Sequence, residues 1–172
     1  MSSDTRQIAL SQGMFTTVDA CDYDMLAEFK WHAWRSGGIF YAKRCGQTRD
    51  GRRPAILMHR VIVQPHEGLR VDHINHNGLD NRRVNLRSCT QSENMKNSRS
   101  RPGSTSRYLG VGWRISTKSW QSQIRYNGKV HHLGLYADEI EAALAYDRAA
   151  RQHHGEFANP NFPEPTLDPD PN

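Results

Sequence analysis

Apolar and polar residues alternate over short stretches in the first third of the chain, and this pattern predicts small elements. Residues 6–18 predict two short strands around a glycine, and residues 22–30 place apolar side chains at helical spacing. Residues 31–44 predict a hairpin with its turn at Gly37-Gly38. The aromatic residues of this hairpin are expected to form a small core: Trp31, Trp34, Phe40 and Tyr41. No chemistry is expected in this first third.

The middle of the chain predicts a strand, a loop, a strand and a helix within about thirty residues. An apolar element over 56–63 precedes them. Residues 71–74 and 84–88 predict the two short strands, and the Asn-rich, charged stretch 75–83 predicts the loop. A capping-box pattern, Thr-Gln-Ser-Glu from residue 90, begins the helix.

The last part of the chain predicts a separate three-stranded module. Residues 99–106 are rich in Ser, Arg, Pro and Gly and predict a flexible linker. Three strands and one helix are predicted after it, over 108–114, 120–126, 129–135 and 138–153. The tail 164–172 combines prolines with acidic residues and is expected to be disordered.

The distribution of charge along the chain indicates an anionic partner. The chain has 172 residues with 23 Lys and Arg against 18 Asp and Glu, a formal net charge of +5. Between Asn94 and Ala137 it carries eight Lys and Arg and no acidic residue. Such a run repels itself unless an anion lies against it, and a nucleic-acid backbone is the usual anion. A solvated basic surface is the alternative interpretation.

Several classes are excluded by what the sequence lacks. No apolar run approaches the roughly 18 residues of a membrane span, and no basic segment followed by an apolar one marks the N-terminus. Three widely spaced cysteines without a CxxC motif argue against a disulfide framework and against a cysteine-rich zinc site. The sequence therefore predicts a cytoplasmic protein without a membrane segment.

The predicted strand–loop–strand–helix stretch carries an ordered set of polar residues: Asp72, His73, Asn85 and Asn94. A neutral imidazole is a competent general base near neutral pH, which makes His73 the candidate. Carboxylate and amide oxygens suit Mg²⁺ or Mn²⁺ better than zinc. Because neighbours on a strand point to opposite faces, Asp72 and His73 diverge unless the backbone twists at the loop.

This ordered set resembles the HNH nucleases of the phage and intron-encoded homing type, over about 59–98. The resemblance implies a ββα-metal unit in which His73 is the base and Asn85 holds the loop and His73 in position. It also implies that Asp72 and Asn94 bind one Mg²⁺ or Mn²⁺ ion. The third letter of the name HNH stands for a histidine, and this chain has Asn94 at that position. Asn97, one helical turn further along, is the alternative metal ligand. Three arginines near this set are placed to clamp phosphates: Arg82, Arg83 and Arg87.

Residues 107–163 resemble the AP2 DNA-binding domain, through Tyr-x-Gly-Val from Tyr108, Leu-Gly-x-Tyr from Leu133 and the closing Asn-Phe-Pro. The resemblance implies three antiparallel strands packed on one helix, with the sheet in the major groove. Strand alternation gathers Gln and Arg side chains, which read adenine and guanine, on one face. The predicted DNA contacts are Arg114, Lys118, Gln121, Gln123, Arg125, Lys129 and His132.

Together these patterns predict an α+β protein with an N-terminal α+β segment packing on a nuclease, a linker and a DNA-binding module. The predicted ranges are 1–55, 56–98, 99–106, 107–163 and the tail 164–172. The predicted function is a site-directed DNA endonuclease, encoded by a phage or mobile element, that hydrolyses a phosphodiester of double-stranded DNA with one divalent metal ion. A monomer is expected to nick, a double-strand break would need a dimer or a second nicking event, and the expected oligomeric state is a monomer or weak dimer. No membrane and no small-molecule cofactor are expected. A DNA-binding regulator with an inactive nuclease fold and an RNA-binding or RNA-cleaving protein are the alternatives.

Overall fold

The computed structural model describes residues 4–48, 51–97 and 103–163. The chain forms two compact units, residues 1–94 and residues 95–172. The predicted α+β class is confirmed, because the described residues form four small antiparallel sheets together with helices. Half of the predicted linker, 99–102, and the tail 164–172 lie outside the described residues. No helix in the described part of the chain is long and apolar enough to cross a membrane.

The elements up to the unit boundary are short and follow one another closely. In chain order they are β1 (Thr5–Ala9), β2 (Phe15–Asp19), α1 (Ala20–Ala27), β3 (His32–Ser36), β4 (Ile39–Cys45), β5 (Ala55–Leu57), α2 (Met58–Val63), β6 (Arg70–His73), β7 (Leu86–Cys89) and α3 (Gln91–Lys96). Strands β1 and β2 pair, β3, β4 and β5 form a three-stranded sheet, and β6 pairs with β7. The predicted strand pairs 6–18 and 31–44 are confirmed.

Two predicted elements differ from the observed ones. The helix expected over 22–30 begins at Ala20 and ends at Ala27. The apolar stretch 56–63 is divided into β5, which pairs with the edge of β4, and the helix α2. The division follows from burial, because Met58 and Ile62 are four residues apart and only a helical turn brings both into the core.

One hydrophobic core serves the whole first unit. Its buried members come from the N-terminal elements and from the range around β6 and β7: Ile8, Leu10, Val18, Leu26, Trp31, Ala33, Ala42, Met58, Ile62 and Leu86. Trp31 is 2% exposed, and its indole N–H donates to the carbonyl of Leu26 at 2.8 Å. The N-terminal segment and the range predicted as a nuclease therefore share one core.

Strand β2 lies beside the loop that joins β6 to β7. The Thr17 N–H donates to the Leu79 carbonyl at 2.9 Å, and the Asn81 N–H donates to the Thr17 carbonyl at 2.8 Å. The Arg83 N–H donates to Asp19 Oδ2 at 2.7 Å, just before the helix α1 begins. These bonds attach the loop to the N-terminal elements at several points along its length.

The second unit contains β8 (Val111–Arg114), β9 (Ser119–Tyr126), β10 (Lys129–Tyr136) and α4 (Glu139–His154). The strands form one antiparallel sheet in the order β10-β9-β8, and α4 packs on it through buried alanines and Tyr146. Asp138 caps α4 by accepting from the N–H groups of Ile140 and Glu141. Gly110 has a φ of +76°, and a Cβ there would overlap the Tyr146 ring, so glycine is required at this strand–helix contact.

Candidate active site

The pairing of β6 with β7 places the central residues of the candidate site. Asp72 lies opposite Arg87 and His73 lies opposite Leu86. Asp72 and His73 are both 6% exposed, so each must be satisfied within the protein. They end the strand β6 at the point where the loop begins.

His73 is oriented by Asn81 in the loop. Its Nε2 lies 3.3 Å from Asn81 Oδ1, and Asn81 is itself fully buried. Burial lowers the pKa of His73 below the ordinary histidine value, while the Asn81 hydrogen bond and the charges of Asp72 and Asp80 act in the opposite direction. A lowered pKa keeps the imidazole neutral at pH 7, the form a general base needs.

His73 and two other aromatic rings contact one another edge to face. His59 on α2 lies 5.0 Å from His73 between ring centroids, and Tyr41 on β4 lies 5.7 Å from His73 and 5.8 Å from His59. Burial, followed by the neighbouring His73 and Arg60, lowers the pKa of His59 to about 3. Burial and the charge of Asp72 raise the pKa of the Tyr41 phenol. Both new members of the site are therefore neutral at pH 7.

Tyr41 corrects the expectation that the aromatic residues of the first hairpin form one small core without chemistry. Trp31 is buried in the core, whereas Trp34 is 38% exposed and Tyr41 contacts two histidines of the site. Tyr41 reaches them because Gly78 leaves room: a Cβ at residue 78 would stand 2.7 Å from two Tyr41 ring carbons. No local pattern signals this contact, since it depends on how β4 packs against a loop almost forty residues later.

Asn85 joins the two ends of the loop. Its Oδ1 accepts from the Asn75 N–H at 2.9 Å, and its Nδ2 donates to the Asp80 carbonyl at 2.8 Å. The Ile74 N–H donates to the Asn85 carbonyl at 2.9 Å. With 5% of its surface exposed, the Asn85 amide is an internal support of the loop that begins right after His73.

Each predicted metal ligand contacts a side chain of β7. Asp72 Oδ2 accepts from Arg87 Nε and Nη2 at 2.9 and 2.8 Å. Asn94, in α3, turns its Oδ1 toward the Cys89 thiol at 3.9 Å. Burial raises the pKa of that thiol, and the charge of Asp72 adds to the shift. The alternative ligand Asn97 follows the last residue of α3, and its side chain is buried.

The donor chemistry of these residues fits a hard cation and does not fit zinc. Among the described residues there is no group of three or more His, Cys, Asp and Glu side chains that could hold a metal ion. A carboxylate and an amide oxygen suit Mg²⁺ or Mn²⁺. Arg87 would compete with such an ion for the Asp72 carboxylate.

The three arginines predicted to clamp phosphates each contact a carboxylate. Arg82 pairs with Asp80 at 2.6 Å and Arg83 pairs with Asp22 at 2.7 Å, in addition to the pair between Arg87 and Asp72. The side chains of Arg82 and Arg83 are 38% and 56% exposed, whereas that of Arg87 is 13% exposed. Their assignment to DNA phosphates stays a prediction, and the exposed pair is better placed for it than Arg87.

In the second unit, strand pairing collects most of the predicted DNA contacts on one face. Gln123 lies opposite His132, and both side chains are exposed. Gln121 and Arg125 lie two residues before and after Gln123 on β9, so they share its face of the sheet. Arg114 pairs with Ser119, which lies on that face too. This face therefore offers amide, guanidinium and imidazole donors together.

Two other predicted contacts are placed differently. Lys129 lies opposite Tyr126, so it belongs to the opposite face of the sheet, where Tyr126 stacks on His131 and on His153 of α4. Lys118 lies in the turn between β8 and β9 with a φ of +47°. The structure thus groups five of the seven predicted contacts on one face and leaves Lys129 off it.

Comparison with known proteins identifies the domain that carries the candidate site. Residues 57–96 match the HNH endonuclease family, a range that contains Asp72, His73, Asn85 and Asn94. The chain is also 30% identical over 92 residues to protein 3.8 of Escherichia phage T7, an alignment that covers 54% of this chain and 75% of that protein. Residues 57–96 are an HNH endonuclease domain. The predicted resemblance to HNH nucleases is confirmed.

A second relative of this HNH protein comes from Acanthamoeba polyphaga mimivirus. It is named uncharacterized HNH endonuclease L560 and is 29% identical over 153 residues, which cover 87% of this chain and 76% of that protein. HNH nucleases use a divalent metal ion and act on DNA. The family match ends at residue 96, so the AP2-like resemblance of 107–163 stays a prediction.

Proposed function

We propose that this HNH protein is a site-directed DNA endonuclease of the homing type that hydrolyses a phosphodiester with one divalent metal ion, Mg²⁺ or Mn²⁺. The observation that carries the proposal is the environment of His73: a buried, neutral imidazole held by Asn81 beside the carboxylate of Asp72. A neutral base, a carboxylate and a supported loop are what hydrolysis of a phosphodiester asks of the protein.

In this proposal His73 takes a proton from the attacking water. Its pKa, lowered by burial, leaves it unprotonated at pH 7, and its edge contacts with His59 and Tyr41 restrict rotation of the ring. Asn85 acts as a support, because its two side-chain hydrogen bonds hold the loop that starts at Ile74.

Asp72 and Asn94 would hold the metal ion, which would supply positive charge to stabilise the phosphodiester as it is cleaved. Asn94 contacts Cys89, which lies on β7 two residues after Arg87, the residue that pairs with Asp72. This placement supports Asn94 rather than Asn97 as the second ligand. Before the ion binds, Arg87 balances the charge of Asp72. One base and one cation cleave one strand, so a monomer nicks the duplex.

The second unit holds the DNA through the face of Gln123, Arg125 and His132, in the manner of an AP2-like sheet in the major groove. Charge supports this role, since the run from Asn94 to Ala137 has eight cations and no acidic residue. The relatives belong to a phage and a mimivirus, which supports a phage or mobile-element protein that acts on DNA inside its host cell.

Nicking of supercoiled plasmid tests the proposal. Plasmids carrying candidate insertion sites are incubated with the full chain and Mg²⁺ or Mn²⁺, with EDTA as the metal-free control. We expect nicked circles that disappear with EDTA and with His73→Ala, while DNA binding persists in that variant. His66→Ala is the matched control, because His66 is an exposed histidine of the same unit and its loss should leave nicking unchanged. DNA binding without any cleavage, with either metal, would show a DNA-binding regulator instead.

A further inference from the structure

A chain of hydrogen bonds runs from His73 to the N-terminal strand β2. Asn81 Oδ1 lies 3.3 Å from His73 Nε2, and Asn81 Nδ2 donates to Thr16 Oγ1 at 2.7 Å. Thr16 Oγ1 in turn donates to the carbonyl oxygen of Leu79 at 2.7 Å. Both Thr16 and Asn81 are 0% exposed, so water has no access to reverse any of these bonds.

The chain has a fixed direction because it ends on a backbone carbonyl. The carbonyl of Leu79 can only accept, so the single hydroxyl proton of Thr16 is committed to it. Toward Asn81, Thr16 Oγ1 can then only accept, and it selects the NH₂ end of the amide. The oxygen end of Asn81 is left facing His73, and an oxygen that faces a ring nitrogen requires a proton on that nitrogen.

We propose that Thr16 is a positioning residue that, through Asn81, fixes the tautomer of His73 with the proton on Nε2 and the lone pair on Nδ1. The inference rests on the proposed function in one respect, that His73 is the base. Thr16 lies outside the matched range 57–96, in the segment for which the sequence predicts no chemistry. It reaches the site because β2 is hydrogen bonded to the loop through Thr17, Leu79 and Asn81.

Thr16→Val tests the proposal, because valine keeps the shape of threonine and lacks the hydroxyl. Without it, neither orientation of the Asn81 amide is selected, and the NH₂ group can face His73 and draw the proton to Nδ1. We expect the wild-type chain to show only the Nε2–H form of His73, and Thr16→Val to show a mixture. The readout is the long-range ¹H–¹⁵N correlation of the imidazole in the ¹⁵N-labelled full chain, with His73→Gln to assign the signal.

The rate of nicking is the second readout. Only the Nε2–H form can act as the base, so kcat should fall in proportion to the fraction of that form that remains, roughly two- to tenfold, with KM nearly unchanged. Thr16→Ser keeps a hydroxyl and should restore both tautomer and rate. The matched control is Thr17→Val on the same strand, since no hydrogen bond of the described residues uses the Thr17 hydroxyl and its loss should alter neither.

The outcomes separate this proposal from the proposed function. A Thr16→Val chain with the wild-type tautomer and the wild-type kcat overturns the role of Thr16. If the wild-type protein shows the Nε2–H tautomer but cleaves no DNA, the role of His73 as a base is refuted, whereas the proposed role of Thr16 in fixing the tautomer is retained. If Thr16→Val does not fold, Asn81→Asp serves instead, because both carboxylate oxygens accept. His73 must then keep its Nε2 proton, and a proton on Nδ1 alone overturns the proposal.

Discussion

Arg87 lies directly opposite Asp72 in the β6–β7 pair, and its guanidinium donates twice to Asp72 Oδ2, at 2.9 Å from Nε and 2.8 Å from Nη2. The side chains are 13% and 8% exposed. A residue predicted to clamp DNA phosphates is thus the partner of a residue predicted to bind the metal. If Asp72 binds the metal, Arg87 and the cation compete for one carboxylate, and this competition lowers the affinity of the site for the ion.

Removing Arg87 should strengthen metal binding. In Arg87→Gln the Asp72 carboxylate loses its positive partner, and we expect the half-saturating Mg²⁺ concentration for nicking to fall roughly tenfold, equivalent to about 1.4 kcal/mol. The metal-free chain should also lose roughly 3 kcal/mol of stability, because a buried carboxylate loses its ion pair with Arg87. Metal titration of nicking and urea denaturation measure the two effects. Arg6→Gln, which breaks an exposed pair with Asp24, is the control, and an unchanged Mg²⁺ midpoint in Arg87→Gln would contradict the sharing of Asp72.

Gly78→Ala should damage the site through Tyr41. The added Cβ would overlap the carbonyl oxygen of Phe40 and stand 2.7 Å from Cδ1 and Cε1 of Tyr41, so β4 and the loop must separate. We expect a loss of roughly 1–3 kcal/mol of stability, as for other overpacked sites, together with slower nicking because Tyr41 contacts His73. Gly112→Ala is the control, because a Cβ there meets only Thr105 at an ordinary 3.7 Å. Equal denaturation midpoints for the two variants would refute the close packing at Gly78.

Acid should destabilise the first unit through His59. Its pKa is about 3 in the folded chain against 6.5 in the unfolded chain, so the unfolded chain binds the proton first. The stability that neutral His59 contributes is complete above pH 6.5 and declines as the pH falls toward 3. At pH 5 the loss is about 2 kcal/mol. His59→Phe removes this titration, so between pH 7 and pH 5 the variant should lose about 2 kcal/mol less than the wild type. Urea denaturation at both pH values measures the difference, and the same loss in both chains would mean that His59 is not held neutral.

Arg125→Ala should weaken DNA binding if the sheet face of the second unit lies against the duplex. We expect roughly tenfold weaker binding and a slope of log K against log salt that is smaller by about one unit. The control is Arg148→Ala, because Arg148 is an exposed arginine of α4, on the helix that covers the other face of the sheet. Fluorescence anisotropy with a labelled duplex distinguishes them. If Arg148 matters more than Arg125, the helix rather than the sheet contacts DNA.

The strands, turns and helix caps that depend only on residues close in sequence could be predicted. The alternation in β9 and β10 and the Asn127-Gly128 turn predict their register, which the structure confirms from Lys129 opposite Tyr126 to His132 opposite Gln123. The capping box is also confirmed, since Thr90 Oγ1 accepts from the Glu93 N–H and Glu93 accepts from the Thr90 N–H. Period, turn type and capping are local properties, and the sequence contains all the information they need.

The sequence by itself determined the order of the site residues, the family they belong to and the acid-free basic run. Tertiary structure alone decided the surroundings of His73: Tyr41 from β4, His59 from α2 and the hydrogen bond chain to Thr16. It also decided that Arg87 faces Asp72 instead of solvent. The physical reason is that these contacts join residues far apart in the chain, and only the shared core and the β2–loop hydrogen bonds bring them together.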